Sequence, residues 1–387
     1  MTEVRWRVLV LVESFSGYGR GILRGISRYE RQYGPWLIQS EIQPFSGSTL
    51  KQIRQWHGDG ILVRSTSRDM ENALLDTGLP VVDLLGVECD SRLAKVHSDS
   101  RQIGRLAAEH LRGCGLRHFG FFAFGRPWWI HLLEEGFCQS FDDDRDLTLS
   151  VHVSSPQLKR LRPRWEHRFE KKLVDWLISL PKPVGILAAP IDAARAILNC
   201  CQAHGISVPH EVAVMTGDDD DCICNISSPP LSAVRTSSVE VGFQAAQWLD
   251  EALRNKTPLQ GIRWVQTSDV VVRKSTDTIA VSQPDLVKAI SFIRENFHAS
   301  LSTDDICEAV CLSRRTLERL FQRYLNETPH DELVRCRIRR ICELLVQSDL
   351  SVEEIASKCG FSAGKYFFSF FQEQLGCTPL QYRRRYW

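Results

Sequence analysis

From Trp6 to Lys274 the chain alternates short apolar runs with longer amphipathic stretches. The apolar runs have the length of β-strands and are Arg7–Val12, Gly60–Val63, Pro80–Leu84, His118–Ala123, Val184–Ala188, Val212–Met215 and Trp264–Val272. The amphipathic stretches have a helical period and are Gly19–Tyr33, Arg101–Leu111, Glu134–Phe141, Glu166–Ser179, Ala193–His204 and Val239–Asn255. Strands that alternate with helices predict an α/β fold of parallel sheets flanked by helices. About 270 residues is large for one sheet, so two lobes are expected.

The C-terminal part of the chain contains one helical pattern twice, because residues 302–313 align with residues 351–362. In each copy a serine precedes two acidic residues, which suit the cap and the first turn of a helix. A short turn then leads to a second serine, Ser313 or Ser362, that caps a second helix. Each copy therefore has the pattern of a helix-turn-helix unit, and its repetition indicates a repeated supersecondary unit.

The second helix of the first copy separates apolar from polar positions. Its apolar face carries Leu317, Leu320, Phe321 and Tyr324. An arginine-rich polar face at the start of a capped helix is what readout of base edges in the major groove requires. The predicted DNA-binding residues of the two units are Ser313, Arg314, Arg315, Glu318, Arg319, Gln322, Lys365, Tyr366 and Ser369. One copy alone would fit a plain helical hairpin equally well, whereas two copies in tandem favour DNA binding.

Specific short segments carry a family resemblance in this part of the chain. They are Ile-Ala at 355–356, Cys-Gly-Phe at 359–361, Thr-Pro at 378–379 and Gln-Tyr-Arg-Arg at 381–384. With them, Leu286–Tyr386 resembles the DNA-binding domain of AraC/XylS-type (arabinose-regulator) transcription factors. The resemblance implies an all-α domain with two helix-turn-helix units that enter successive major grooves of operator DNA. In the second unit Gln372 and Glu373 stand where such proteins often have basic residues, and Phe368 occupies a position that is expected to face the groove. The first unit is therefore the expected main reader.

The total charge does not indicate a nucleic-acid partner. The 387-residue chain is 25% charged with a formal net charge of +1. From Asp285 onward, 15 Lys and Arg stand against 14 Asp and Glu. Arginine is nevertheless grouped at Arg314–Arg315, Arg335–Arg340 and Arg383–Arg385, where it would contact phosphates and groove edges.

Nothing in the sequence predicts export or membrane insertion. The chain passes from Met1 directly into a strand-like run, and no stretch approaches about 18 uninterrupted apolar residues. The 13 cysteines include no Cys-x-x-Cys pair and no accompanying histidine cluster, so we expect reduced thiols and no metal site. The expectation is a cytoplasmic protein with no cofactor and no membrane partner.

Candidate effector-binding residues follow the predicted strands, because ligands of open α/β sheets lie beyond the carboxyl ends of the strands. They are Tyr18, Arg20, Asp99, Trp128, Trp129, Asp192, Asp218 and Asp219. Aromatic rings can stack on the apolar face of a sugar, while Asp and Arg bind its hydroxyls. A small sugar is therefore the expected effector. The Gly17-x-Gly19 stretch lacks the third glycine of a dinucleotide-binding fingerprint.

These residues also have other interpretations. Trp128 or Trp129 would pack in a core, and Asp192 would cap a helix. The run Asp218–Asp221 would form a solvated loop or, less simply, a divalent metal site. An enzyme acting on a sugar or nucleotide is a weaker alternative, because the chain has no P-loop, Gly-x-Ser-x-Gly or His-Glu-x-x-His motif. A periplasmic sugar carrier would not explain the C-terminal repeat.

Three segments of the first part carry a second resemblance, namely Ile103–Leu111, Val208–Val214 and Pro229–Val234. They are similar to recurrent segments of lac-repressor-type, or periplasmic-binding-protein-like, effector domains. The resemblance implies a chain that crosses three times between two lobes, and the expected crossings are near Cys114, Arg235 and Gly261. The DNA-binding headpiece that usually precedes this domain is not expected, because the first strand begins at once.

The expected domain boundaries follow from this resemblance and from the polar stretch before Pro284. They place a sensor domain at residues 5–275, a linker at 276–283 and an AraC-type domain at 284–387. Within the sensor, lobe one is expected at about residues 5–113 and 237–260, and lobe two at about 115–235 and 261–275.

A lac-repressor-type sensor followed by an AraC-type reader is similar to the arrangement in pentose-operon regulators, and the pentose that this implies is D-xylose. The Tyr18-x-Arg20 pair and the Asp218–Asp220 run fit the implied sugar site, whereas Arg195 is one residue out of place and is not carried over. The alternative is the same architecture with another sugar. The expected assembly is a homodimer on double-stranded operator DNA, with RNA polymerase as a further candidate partner.

Overall fold

The structure, a computed structural model, describes residues 6–41, 47–88, 92–142, 146–154, 171–267, 269–277, 283–299, 301–325, 327–361 and 365–386. The strands are β1 (Trp6–Leu11), β2 (Trp36–Glu41), β3 (Gly60–Val63), β4 (Val81–Asp83), β5 (Ala94–Ser98), β6 (His118–Phe124), β7 (Thr148–Ser154), β8 (Val184–Ala189), β9 (Val212–Thr216), β10 (Ser232–Val234), β11 (Ile262–Val265) and β12 (Val270–Val271). The helices between them are α1 (Gly17–Tyr33), α2 (Gly47–Arg54), α3 (Arg68–Asp76), α4 (Ser100–Gly113), α5 (Trp128–Gln139), α6 (Lys171–Ser179), α7 (Ile191–Ala203), α8 (Asp221–Ile226) and α9 (Ser238–Asn255).

The strands form two sheets, one in each lobe. The strand order is β11-β5-β4-β3-β1-β2 in lobe one and β12-β10-β9-β8-β6-β7 in lobe two. The pairings are parallel, except that β10 and β12 are antiparallel. Every residue of β3 and of β9 is buried, which explains why both strands are almost uninterrupted apolar runs in the sequence. The predicted α/β fold of two lobes is confirmed.

Glycines let pairs of helices pack closely in both lobes. In lobe one α1 packs along α9, and in lobe two α4 packs along α5. A Cβ atom on Gly25 would collide with the Val239 carbonyl, and a Cβ atom on Gly136 would collide with the Arg101 carbonyl. These helix pairs therefore require residues without a side chain at their contact points.

Two of the predicted crossings between the lobes are wrong. The first crossing runs through Asp99 and not near Cys114, because α4 buries its apolar face against α5 and the lobe-two sheet. The third lies between β11 and β12 and not near Gly261, because β11 pairs with β5 of lobe one. The second crossing lies between β10 and α9. By these contacts lobe one comprises the described residues between 6 and 98 and residues 238–265, and lobe two comprises the described residues between 100 and 234 and residues 270–276.

The predicted strand Trp264–Val272 is likewise wrong as one element. It contains the end of β11 and the whole of β12, which lie in different sheets. The intervening residues form the third crossing. Apolar residues flank this crossing on both sides, so the hydrophobic pattern alone did not mark the break.

The C-terminal domain is helical. Its helices are α10 (Pro284–Asn296), α11 (Thr303–Val310), α12 (Arg314–Leu325), α13 (Pro329–Gln347), α14 (Val352–Lys358), α15 (Lys365–Leu375) and α16 (Pro379–Tyr386). Ser302 and Ser351 cap α11 and α14, and each belongs to a capping box with an acidic residue three positions later. Each unit has its own apolar core, and α13 contributes residues to both cores. The predicted duplicated helix-turn-helix architecture is confirmed.

The end of the sensor packs on lobe two. Ser275 Oγ donates to the Val214 carbonyl at 2.6 Å and accepts the Ser232 N–H at 2.8 Å. Thr276, predicted as the first linker residue, is 1% exposed and therefore belongs to lobe two. Residues 278–282 of the predicted linker lie outside the described residues, as do residues 166–170 of a predicted helix.

Candidate functional site

The two lobes touch each other where their strands end. Nη2 of Arg20, on α1, lies 3.1 Å from Oδ2 of Asp220, which follows β9. The same carboxylate oxygen accepts the Gly17 N–H at 2.6 Å. Nε1 of Trp128, at the start of α5, donates to the Gly86 carbonyl at 3.1 Å. These contacts bring residues beyond the carboxyl ends of both sheets together and define an interlobe cleft.

The lobe-one wall of this cleft carries the buried side chains of Tyr18 and His97 and the largely buried side chain of Arg64. The Tyr18 hydroxyl lies 3.1 Å from Ser98 Oγ, and burial raises the pKa of Tyr18 to about 12. Arg64 lies over the Tyr18 ring, 5.3 Å from its centroid, and forms an ion pair with Glu13. Burial lowers the pKa of Arg64 to about 10 and that of His97 to about 4. At neutral pH the wall therefore presents a cationic guanidinium, a phenol and a neutral imidazole.

Asp218 of lobe two is electrostatically coupled to this wall. Burial and, to a smaller extent, the charge of the neighbouring Asp219 raise its pKa to about 6, although Arg64 opposes the rise. Asp218 Oδ1, Arg64 Nε and Thr216 Oγ1 are buried and have no hydrogen-bond partner within the described part of the chain. Because buried polar atoms nearly always have partners, these three atoms fit a cleft that holds a polar ligand or ordered water.

Aromatic rings from both lobes lie beside these polar groups. The Trp128 ring centroid is 4.9 Å from that of His97 and 6.0 Å from that of Trp264. His97 and Trp264 belong to β5 and β11 of lobe one, whereas Trp128 belongs to lobe two. Ring faces next to hydrogen-bonding groups can bind the apolar and polar sides of a sugar ring at the same time.

Two predicted effector residues have structural partners outside this group. Asp219 Oδ1 accepts from Arg273 Nη2 at 2.9 Å in an ion pair whose side chains are 7% and 9% exposed. Asp99 caps α4 and accepts from Gln266 Nε2 at 3.1 Å, so it connects the first and third crossings. Both contacts stabilise the segments that frame the cleft.

Two further predicted residues also lie away from the polar cluster. Trp129 packs against the core of lobe two. Asp192 has a side chain that is 72% exposed and pairs with Arg195 in its own helix at 3.5 Å. The interpretation of Asp192 as a helix cap is wrong, because the N-cap of α7 is Pro190.

Three residues at the site, Arg64, His97 and Glu13, were not predicted from the sequence. Arg64 comes directly after β3, and Glu13 lies two residues beyond β1. The rule that led to Asp218 applies equally to these positions. His97 lies inside β5 and not beyond its carboxyl end, so the rule that led to Asp99 does not apply to it.

In the first helix-turn-helix unit the predicted polar face of α12 is exposed, and Leu317, Leu320 and Phe321 are buried. Ser313 Oγ accepts the Thr316 N–H at 3.2 Å and so caps the helix. The exposed predicted residues on this surface are Ser313, Arg314, Arg315, Glu318, Arg319 and Gln322. Arg314 Nε lies 2.9 Å from Glu318 Oε1, so these two side chains present a paired charge.

The second unit offers a different surface. Tyr366 is 68% exposed, and Ser369 is exposed with its hydroxyl donating to the Tyr366 carbonyl at 3.1 Å. Phe368, which was expected to face the groove of DNA, packs against the core of the unit. Ser362 and the side chain of Lys365 lie outside the described residues.

Several arginines predicted to contact phosphates bind other parts of the protein. Arg335 pairs with Glu327 and Glu332. Arg337 donates to the carbonyls of residues 297 and 299, and Arg383 donates to those of residues 345 and 350. These side chains hold the domain together, so the exposed face of α12 carries more of the expected DNA contact than the arginine clusters suggested.

Among the described residues, no helix is both long enough and apolar enough to cross a membrane. Nor do His, Cys, Asp and Glu in the described part of the chain form a group of three or more that could hold a metal ion.

Comparison with protein families identifies both parts of the chain. Residues 108–276 match the model of a periplasmic binding protein-like domain, and residues 306–385 match that of a helix-turn-helix domain. The chain joins a periplasmic binding protein-like domain to a helix-turn-helix domain. The matches cover most of lobe two and both repeated helical units.

Full-length relatives share this combination. The chain is 28% identical to the xylose operon regulatory protein of Escherichia coli (strain K12), over 99% of this chain and 98% of that protein. It is 26% identical to the protein of the same name from Haemophilus influenzae, over 99% of each chain. A solved structure of the xylose-binding transcription activator XylR matches with a TM-score of 0.63 and 27% identity, over 99% of each chain.

Proposed function

We propose that the protein is a DNA-binding transcriptional regulator controlled by a small sugar, D-xylose, bound between the two lobes. The observation that carries this proposal is that buried polar atoms of Asp218, Arg64 and Thr216, near the strand ends that border the interlobe cleft, have no hydrogen-bond partner among the residues that the structure describes. The nearby rings of Trp128 and His97 supply the apolar contacts that a sugar also needs.

The charges in the cleft favour an uncharged polyol. Arg64 is already paired with Glu13 and is attracted by Asp218, so neither sign of charge is in clear excess. A carboxylate and a guanidinium can each bind two neighbouring hydroxyls in fixed geometry. The choice of D-xylose among small sugars rests on the full-length similarity to xylose operon regulatory proteins.

The helix-turn-helix domain would bind the operator DNA. Arg315, Arg319 and Gln322 are exposed on α12 and would read base edges in the major groove. The second unit would enter the next major groove of the same operator, with a homodimer doubling both contacts. This function places the protein in the cytoplasm with DNA, where RNA polymerase is a candidate partner.

Sugar binding and operator binding would be coupled through lobe closure. A ligand that contacts both walls of the cleft binds the closed sensor more tightly than an open one and shifts the population toward closure. If closure changes operator affinity by some factor, operator binding must change sugar affinity by the same factor.

Thermal unfolding with a panel of sugars tests the proposal. D-Xylose at a hundred times its dissociation constant should stabilise the protein by about 2.7 kcal/mol, whereas D-ribose, L-arabinose and D-glucose should stabilise it less. Arg64→Ala should abolish the shift, and Arg68→Ala, an exposed arginine four residues away, should keep it. If another sugar stabilised the protein and D-xylose did not, that sugar would be the effector. Chemical conversion of the sugar by the purified protein would favour an enzyme.

A further inference from the structure

Hydrogen bonds connect the second and third crossings between the lobes directly. The Arg235 N–H donates to the Asp269 carbonyl at 2.9 Å, and Arg235 Nε donates to Asp269 Oδ2, also at 2.9 Å. Ser237 Oγ donates to the Gln266 carbonyl at 2.7 Å. Since segments that join two lobes absorb the dihedral changes of closure, Asp269 lies where closure is expected to act.

One residue of the second helix-turn-helix unit reaches this hinge. The Tyr382 hydroxyl, on α16, donates to Asp269 Oδ2, the oxygen that also accepts from Arg235. Tyr382 is 2% exposed. Its ring packs edge-on against Phe371 of α15, with centroids 5.6 Å apart. One carboxylate therefore connects the hinge of the sensor to the core that holds the second helix of the unit.

Other contacts between the sensor and the C-terminal domain use different parts of lobe two. Arg294 of α10 lies 3.2 Å from Asp277, the residue directly after lobe two. A Cβ atom on Gly113 of α4 would lie 2.6 Å from Arg335 Nη1, so the end of α4 also borders the C-terminal domain. These contacts anchor the domain near the linker, whereas the Tyr382 contact lies at the crossings.

The surroundings of this contact leave space for movement. A groove of about 600 Å³ separates lobe two and the crossings from the C-terminal domain. Its lining includes Arg235 and Asp269 on the sensor side and Ile338, Tyr366 and Phe370 on the other side. Tyr366 and Phe370 belong to α15, so this helix borders the groove without being packed tightly against the sensor.

We propose that the hydrogen bond between Tyr382 and Asp269 is the joint through which sensor closure sets the position of the second helix-turn-helix unit. The inference rests on the proposed function and names how that function is regulated. Closure displaces Asp269 relative to α4, and Tyr382 carries this displacement through Phe371 to α15.

The test is the coupling factor, which is the ratio of operator dissociation constants without and with D-xylose. Wild-type protein should show a factor in the range of about 5 to 150. Tyr382→Phe removes only the hydroxyl, and it should bring the factor at least threefold closer to one. Asp269→Ala should do the same from the sensor side while leaving the core of the second unit intact. D-Xylose affinity measured without DNA should change less than twofold.

Tyr29→Phe is the matched control, because Tyr29 is also buried and donates to an aspartate, Asp250, at 3.0 Å, but within lobe one. It should keep the wild-type coupling factor. A wild-type factor of one would refute the proposed function and leave no coupling for the joint to transmit. A coupled wild type with unchanged coupling in either Tyr382→Phe or Asp269→Ala would overturn the joint itself.

Discussion

Asp218 and Arg64 belong to opposite lobes, and the charge of each affects the pKa of the other. Each has one buried atom without a hydrogen-bond partner among the described residues. Opposite charges on the two lobes attract each other, and the unpartnered atoms keep hydrogen-bonding capacity for a ligand. Burial raises the pKa of Asp218 to about 6, which brings its titration close to neutral pH. The side chain is therefore both a ligand-binding group and a source of pH dependence.

Sugar affinity is expected to fall as pH drops through about 6. Hydroxyl groups donate to the ionised Asp218 carboxylate, so its protonation, with a pKa of about 6, competes with binding. Between about pH 7.5 and 5 the association constant should decrease about tenfold in titration calorimetry. Asp218→Asn should bind more weakly with a flat pH profile. An equally flat wild-type profile would show that Asp218 does not bind the sugar in ionised form.

Arg315 is expected to read a base rather than a phosphate. It is exposed near the start of α12, whereas Arg314 is paired with Glu318. Arg315→Ala should weaken binding to the operator by about 1–3 kcal/mol and relax the preference at one base pair. Arg323→Ala, in the last turn of the same helix, should weaken binding to all sequences alike. Equal losses on operator and random DNA for Arg315→Ala would make it a phosphate contact.

At the scale of elements, the two helix-turn-helix units form equivalent turns that have different residues at the position with positive φ. Cys311 and Gly360 occupy equivalent turns, and both have positive φ, of 57° and 79°. Glycine adopts this left-handed conformation without strain, whereas a residue with a Cβ atom does not. A Cβ atom on Gly360 would also lie 3.0 Å from the carbonyl oxygens of residues 297, 298 and 299. The second turn is therefore tied to the loop after α10.

Substitutions of these two turn residues should have opposite effects on the stability of the domain. Gly360→Ala should destabilise the domain by about 1–3 kcal/mol, because strain and crowding act together. Cys311→Gly should stabilise it by about 0.5 kcal/mol, because relief of strain slightly exceeds the added entropy of the unfolded chain. Midpoints of urea unfolding would measure both changes. A lower midpoint for Cys311→Gly, or an unchanged one for Gly360→Ala, would contradict this account.

At the scale of the whole molecule, the ion pair between Arg20 and Asp220 holds the two lobes together. Asp220 also caps α8 and accepts the Gly17 N–H. One carboxylate therefore connects the first helix of lobe one to the segment that carries Asp218. The arginine side chain is 38% exposed, so solvent weakens the pair and lets the lobes separate when the ligand leaves.

Arg20→Ala should favour an open sensor. Without sugar its radius of gyration by small-angle scattering should exceed that of the wild type, and sugar should restore the wild-type value. Sugar affinity should fall roughly two- to fivefold, the range for a partly exposed ion pair. Arg28→Ala, which removes an arginine with the same 38% exposure that pairs with Glu240 inside lobe one, should change neither quantity. An unchanged radius in Arg20→Ala would assign closure to other contacts.

Local patterns in the sequence were sufficient for the elements whose signals are strong. The capped repeats at Ser302 and Ser351, the buried face of α12 and the apolar runs of β3 and β9 all formed as predicted, because caps and hydrophobic periodicity act over a few residues. The α/β class and the duplicated helix-turn-helix architecture follow from those elements.

The tertiary structure decided which elements meet. The assignment of α4 to lobe two and of β11 to lobe one depends on their packing partners. For β11 the partner strand, β5, is more than a hundred residues away in the sequence. The pairing of Arg20 with Asp220, of Asp219 with Arg273 and of Tyr382 with Asp269 depends on the same long-range arrangement. Residue type and spacing identify side chains that can bind a sugar or a base. Only the folded chain determines which of these side chains remain available to a ligand and which pair with other residues of the protein.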